Sequence, residues 1–211
     1  MLRSVDKKNH VGEAAVAGKA VDSRKRAVAK KTAATSSITV ATIWTIGHST
    51  RPIDEFLGLL GEYRIEAIID VRSFPGSRKY PQYGKEALAV TLAEHAIGYH
   101  WLAALGGRRR VLPDSPNVAW HNTSFRGYAD YMSSPEFAQG LIQLLELASK
   151  VRTAIMCAEA VWWRCHRSMI ADALSVRGIK VMHILDAKHE VLHPMTSPAR
   201  VVRGRLTYTA P

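Results

Sequence analysis

From Ile38 onward the sequence alternates short runs rich in β-branched residues with amphipathic stretches, and this alternation constrains the fold more than any other feature. Strands separated by helical stretches cannot pair as tight hairpins; they are joined by crossovers, which build a parallel sheet. The first strand is predicted over 40–46 (Val-Ala-Thr-Ile-Trp-Thr-Ile), ahead of Gly47, His48, Ser49 and Thr50. A helix follows, with Asp54 and Glu55 in its first turn and Ile53, Phe56, Leu57 and Leu60 on one face. Further strands are predicted over 66–72, 98–104, 152–157 and 179–185. Helices are predicted over 84–96, 135–149 and 165–177, the last stopping at Gly178. The pattern predicts an α/β fold: an open, mostly parallel, five-stranded sheet with helices on both faces, doubly wound.

The chain has 211 residues, enough for one core and a tail. Residues 1–37 carry nine basic side chains against three acidic ones and no aromatic, so they supply +6 of the net +11. A segment with so little apolar surface cannot offset its ordering entropy, and a disordered basic arm is expected there. It would hold polyanions by counterion release, or serve only as a solvated leader. The α/β domain is expected over 38–185, and 186–211, which is weakly patterned, as a peripheral tail. The positive balance favours anionic partners, nucleic acid or nucleotides among them. No apolar run nears the roughly 18 residues of a membrane span, so no membrane partner is expected. With two cysteines, Cys157 and Cys165, and no signal-peptide pattern, a reducing cytoplasm and free thiols are expected.

Open α/β sheets bind ligands beyond the C-terminal ends of their strands. Gly47, His48, Ser49 and Thr50 follow the first predicted strand; Asp70, Val71, Arg72, Ser73, Phe74 and Pro75 end the second; Cys157, Ala158 and Glu159 end the fourth. Each residue alone has a bland structural role open to it, Asp70 as a loop cap for instance, but three such clusters on one rim point to a site.

The stretch 157–168 is the most informative, because it crosses from strand to helix with Cys157, Glu159, Arg164, Cys165, His166 and Arg167. Cys165, His166 and Arg167 are expected in the helix's first turn, where free N–H groups and the dipole attract anions. A thiol there is activated; His166 would activate it or donate a proton, and Glu159 would act as a base. The bland alternative makes both cysteines small buried hydrophobes. Six residues separate Cys157 from Arg164, one more than the Cys-x5-Arg loop of tyrosine phosphatases, which argues against that class. There is no Cys-x-x-Cys pair and no Gly-x-Gly-x-x-Gly after the first strand, which argues against zinc ribbons and dinucleotide dehydrogenases. A metal held by Cys157, Glu159, Cys165 and His48 or His166 stays open, although adjacent Cys165 and His166 are awkward joint ligands. No metal is assigned, and cofactor and oligomeric state are left open.

A long connection over 106–134 interleaves Arg108, Arg109, Arg110 and Arg126 with Trp120, Phe125, Tyr128 and Tyr131. Arginines among aromatics suit phosphates and stacked bases, with Trp162 and Trp163 nearby; the aromatics would otherwise merely pin the loop to the core. Arg72, Ser73, Arg78 and Lys79 are expected on the same rim.

These residues resemble the DUF488 family, a group of small bacterial and archaeal proteins. The matching stretches are 45–50 (Thr-Ile-Gly-His-Ser-Thr), 70–75 (Asp-Val-Arg-Ser-Phe-Pro), 105–109 (Leu-Gly-Gly-Arg-Arg), 125–131 (Phe-Arg-Gly-Tyr-Ala-Asp-Tyr), 157–159 (Cys-Ala-Glu) and 164–168 (Arg-Cys-His-Arg-Ser). They run in order across 43 to about 185, without departure. The resemblance implies an α/β fold and a shared site, but no established reaction.

The combined expectation is an enzyme, a hydrolase or transferase, acting on a phosphate-bearing substrate, nucleotide or nucleic acid. His48, Asp70, Cys157, Glu159, Cys165 and His166 form its centre, with Cys165 as nucleophile. Ser49, Arg72, Ser73, Arg78, Arg108, Arg109, Arg126, Tyr128, Arg164 and Arg167 are expected to bind substrate. The alternatives are a noncatalytic nucleic-acid-binding module and a metal or redox-thiol protein.

Overall fold

A computed structural model describes residues 42–76 and 78–210. The predicted basic arm and the start of the first predicted strand lie outside the described residues. Alternating sequence becomes a sheet built from β1 (Thr42–Gly47), β2 (Ala67–Asp70), β3 (Gly98–Trp101), β4 (Thr153–Cys157), β5 (Lys180–Ile184) and β6 (Glu190–Leu192), in the order β3-β2-β4-β1-β5-β6. The first five strands pair in parallel, and β6 joins β5 antiparallel.

Helices α1 (Ile53–Glu62) and α2 (Lys85–Glu94) carry the chain from β1 through β2 to the β3 edge. The return passes through α3 (Thr123–Tyr131) and α4 (Pro135–Ala148) to β4, and α5 (Arg167–Ser175) leads on to β5. Crossovers of one hand that run in opposite directions place their helices on opposite faces. Side chains divide accordingly: Trp44, Ile46, Ile68 and Met156 pack with Phe56, Leu60, Leu88 and Leu92, whereas Ile43, Ile69, Ile155 and Val181 pack with Leu141, Leu144, Met169 and Leu174. Each such buried aliphatic side chain contributes roughly 1.5–3 kcal/mol.

Two expectations are corrected. The sheet has six strands, not five, and residues 186–211 are not peripheral. After β6 the chain forms a hairpin of β7 (Arg200–Val202) and β8 (Arg205–Thr207), and Ala199 and Tyr208 join the core against α5. Three-residue strands are too short to show a period; β6 is held by main-chain bonds, such as His193 N–H to Val181 at 2.8 Å. Likewise α3 lies within the predicted long loop, capped by Asn122, whose side chain accepts from the N–H groups of Ser124 and Phe125.

The chain leaves β1 and β2 toward one face and β4, which lies between them, toward the other. A crevice therefore opens beyond the ends of these three central strands.

Candidate functional site

Past β1 the pairing with β4 continues, with His48 N–H bonded to Cys157 and Ser49 N–H to Ala158. The strands approach so closely that a side chain at Gly47 would run into the carbonyl of Glu159. Ser49 adopts a left-handed backbone conformation (φ 50°), a strained setting for a non-glycine residue.

Asp70, fully buried at the end of β2, takes the Arg72 guanidinium at 2.5 Å and 2.9 Å and the Tyr99 hydroxyl at 2.7 Å. The remaining Arg72 nitrogen lies 3.3 Å from His48 Nε2. His48 Nδ1 donates to the Ser49 carbonyl at 2.9 Å, which leaves Nε2 as the acceptor. Its ring stacks on Tyr83 at 4.1 Å. Burial pushes His48 down to about 4 despite the opposing pull of the Ser49 bond, so the ring is neutral at pH 7. Cation and anion here cancel in a closed network.

The second half of the rim is arranged differently. Cys157 ends β4, and a 3₁₀ turn (Trp162–Arg164) leads to Cys165 and His166 ahead of α5. His166 Nε2 donates to the Val71 carbonyl at 2.9 Å, so Nδ1 faces both thiols, 3.6 Å from Cys165 Sγ and 4.0 Å from Cys157 Sγ. Gly107 makes room for this ring, because any side chain there would strike it.

Arg167 is 1% exposed, and none of its contacts among the described residues is a carboxylate. It donates to Cys165 Sγ at 3.4 Å, Thr45 Oγ1 at 3.3 Å and the Glu159 carbonyl at 2.6 Å. A buried guanidinium with only neutral partners is costly, and an ionised thiol relieves that cost. Burial alone would raise the Cys165 thiol; the hydrogen bond from Cys157 and the charge of Arg167 outweigh it and hold Cys165 well below the ordinary range. Cys157 moves the other way, raised by its bond to Cys165 and by burial. Of the two thiols, Cys165 is therefore the one that its surroundings favour to ionise.

Cys157, Cys165 and His166 are also the one group among the described residues whose ligand atoms, all within 4.8 Å of one another, could converge on a metal ion. Despite their adjacency, Cys165 and His166 point to the same place. Arg167 already supplies positive charge to Cys165, so the arrangement suits an ionised thiol without requiring a metal.

Both thiols and His166 line a cleft of about 420 Å³, together with Arg72, Ser73, Arg108, Glu159 and Arg164 from the predicted set. His48 and Ser49 line a neighbouring hollow that shares Arg72 and Phe74. Asp70 stands behind Arg72.

Other predicted residues lie elsewhere. Arg78 is exposed and does not line the cleft. Arg109 lies over the Tyr131 ring at 3.8 Å and donates to the Ala103 and Arg108 carbonyls. Arg126 donates to the Trp120 carbonyl. Tyr128 is fully buried, bonded to the Leu105 carbonyl and edge-on to His166 at 5.2 Å. These three knit the connection to the core, and Arg167 sits behind the thiols rather than before them.

The N–H groups at the start of α5 are likewise engaged, Ser168 with the Cys165 carbonyl and Met169 with that of His166. The side chain of Arg167, more than the helix end, sets the electrostatics. Sequence reasoning missed Phe74, Asn122, Ser124 and Phe125 in the cleft wall. The signal that could have pointed to Asn122 is its residue type, one that caps helices, ahead of Thr123; Phe74 carried no signal beyond its place in the loop.

Among the described residues no helix is long and apolar enough to cross a membrane. No curated protein and no solved structure matches the chain. One family model, described as "Domain of unknown function DUF488", matches residues 52–174, more than half of the sequence. Asp70, Arg72, Cys157, Cys165, His166 and Arg167 all fall within that span, so the arrangement of paired and unpaired arginines around the thiols sits in the matched region of a chain that belongs to the DUF488 family.

Proposed function

We propose that the protein is an enzyme acting on a phosphate-bearing substrate, a nucleotide or a nucleic-acid strand, through Cys165. The supporting observation is the buried Arg167–Cys165 pair at the base of a cleft whose mouth carries Arg108 and Arg164. The arginines hold the phosphate, and Phe74 and Phe125 offer faces for a base to stack on. The Cys165 thiolate adds to phosphorus as the bond to the leaving oxygen breaks. That oxygen takes a proton from solvent, relayed through His166 Nδ1. Water, deprotonated by Glu159, then displaces the sulfur and returns Cys165 to its ionised state.

Cys165→Ser is expected to abolish turnover of a nucleotide or oligonucleotide panel while leaving affinity within a few-fold of the wild type. Loss of affinity with unchanged turnover would exclude the nucleophile role. One observation favours a noncatalytic nucleic-acid-binding module as a second reading: Phe74 and Trp163 are exposed near Arg108 and Arg164. That reading predicts a Cys165 inert to iodoacetamide at pH 6 until the protein unfolds, together with oligonucleotide binding that no thiol reagent disturbs.

A further inference from the structure

Arg167 reaches Thr45 in the middle strand of the sheet, and the hydrogen bonding does not stop there. Thr45 Oγ1 lies 2.7 Å from His183 Nδ1; His183 Nε2 lies 2.9 Å from His193 Nδ1; His193 Nε2 lies 2.9 Å from Asp172 Oδ1. Asp172 also accepts from the Thr196 hydroxyl at 2.6 Å and the Tyr208 hydroxyl at 2.8 Å. All four residues between Arg167 and these last donors are buried.

With both imidazoles neutral, the polarity of this chain has one solution. A carboxylate only accepts, so His193 Nε2 carries a hydrogen and its Nδ1 accepts from His183 Nε2. His183 Nδ1 then accepts from Thr45, whose lone pairs turn to Arg167. Every donor thus runs from guanidinium to carboxylate, provided both imidazoles are neutral. Trp162 stacks flat on His183 at 4.3 Å and covers it, and burial holds His183 down at about 2.

We propose that Asp172, His193, His183 and Thr45 are positioning residues that fix the Arg167 guanidinium against Cys165. A buried arginine free to turn would find other carbonyls; here an oriented acceptor pins one nitrogen and leaves Nε aimed at the sulfur. The distant carboxylate balances the guanidinium without touching it, so the thiolate keeps its cation. The segment after β5 enters the site in this way, because His193, Thr196 and Tyr208 anchor Asp172. The groups facing Cys165 are Cys157 from β4, His166 and Arg167 at the start of α5, Tyr128 from α3 and His183 from β5.

This inference rests on the reading of Cys165 as an ionised nucleophile, and one experiment separates the two. In the full-length protein, iodoacetamide alkylation of the Cys165 peptide is followed by mass spectrometry from pH 4 to 10. The wild type is expected to show a midpoint well below that of an ordinary thiol. Thr45→Val raises it by about one pH unit, a tenfold loss of thiolate at any pH well below the wild-type midpoint. Thr45→Ser restores the wild-type midpoint, and Asp172→Asn moves it in the same direction as Thr45→Val. Should Thr45→Val lose its cooperative melt, His183→Phe, which keeps the stack on Trp162, carries the same expectation. A low wild-type midpoint that none of the folded chain-breaking variants moves overturns the positioning role alone. An ordinary wild-type midpoint overturns the nucleophile reading and the positioning role with it.

Discussion

Arg72 and Arg167 stand on the same rim, both buried, and their surroundings differ in one respect. Arg72 faces a carboxylate and Arg167 faces a thiol. The Asp70–Arg72 pair cancels its own charge and spends its remaining donor on His48, which makes it framework for the loop after β2. Arg167 has carbonyls, a hydroxyl and a sulfur for partners, and its charge stays available to stabilise a thiolate. Whether an acid meets the guanidinium decides whether its charge is cancelled or left for a thiol.

The largest expected break in this comparison is Arg72→Met. It strands Asp70 in the interior and should cost about 3–5 kcal/mol in denaturant unfolding, with Cys165 alkylation of the remaining folded protein little changed. Next, Arg167→Met should leave the melting transition nearer the wild type but slow Cys165 alkylation by roughly 100-fold at pH values well below the wild-type midpoint, since an adjacent opposite charge shifts a titration by one to three units. If both substitutions act alike on stability and on the thiol, the distinction between the two arginines fails.

A smaller effect concerns the paired side through pH. Folded His48 takes up its proton near 4 against 6.5 in the unfolded chain. Its contribution to stability is therefore present above pH 6.5 and lost as the pH falls toward 4. The loss should be on the order of 3 kcal/mol at most, and His48→Gln should flatten that part of a melting-temperature profile. The smallest effect belongs to the exposed arginines of the cleft mouth. Arg108→Ala with Arg164→Ala should leave stability and Cys165 alkylation unchanged and weaken oligonucleotide binding, lowering its salt slope by about two.

The strong elements were legible in the sequence. In α1, Phe56 and Leu60 fall on one face because a helical period repeats locally, and β4 and β5 read as apolar runs because both faces are covered. The candidate cysteines and His166 were legible from their place between a strand and a helix. Helix α3 was not, since Ser, Gly and three aromatics in nine residues blur its period. Nor was β6, whose three exposed residues are held by an edge and not by a pattern. Of the arginines, Arg126 and Arg109 read as ligand-binding because aromatics surround them in sequence, whereas carbonyls claim them in space.

By itself the sequence determined the alternation of strands and helices, the parallel sheet and the gathering of polar groups at three strand ends, because these depend on neighbours a few residues apart. Asp70 and Arg72 stand two positions apart, but the sequence reading assigned one to the reactive centre and the other to substrate, and their pairing came from the structure. Tertiary structure alone decided that Arg167 would meet no acid among the described residues: its hydroxyl partner, Thr45, lies 122 positions back in the chain. The Thr45–His183 link to Asp172 spans another 138, so the electrostatics of the thiol are set by contacts that no local pattern records.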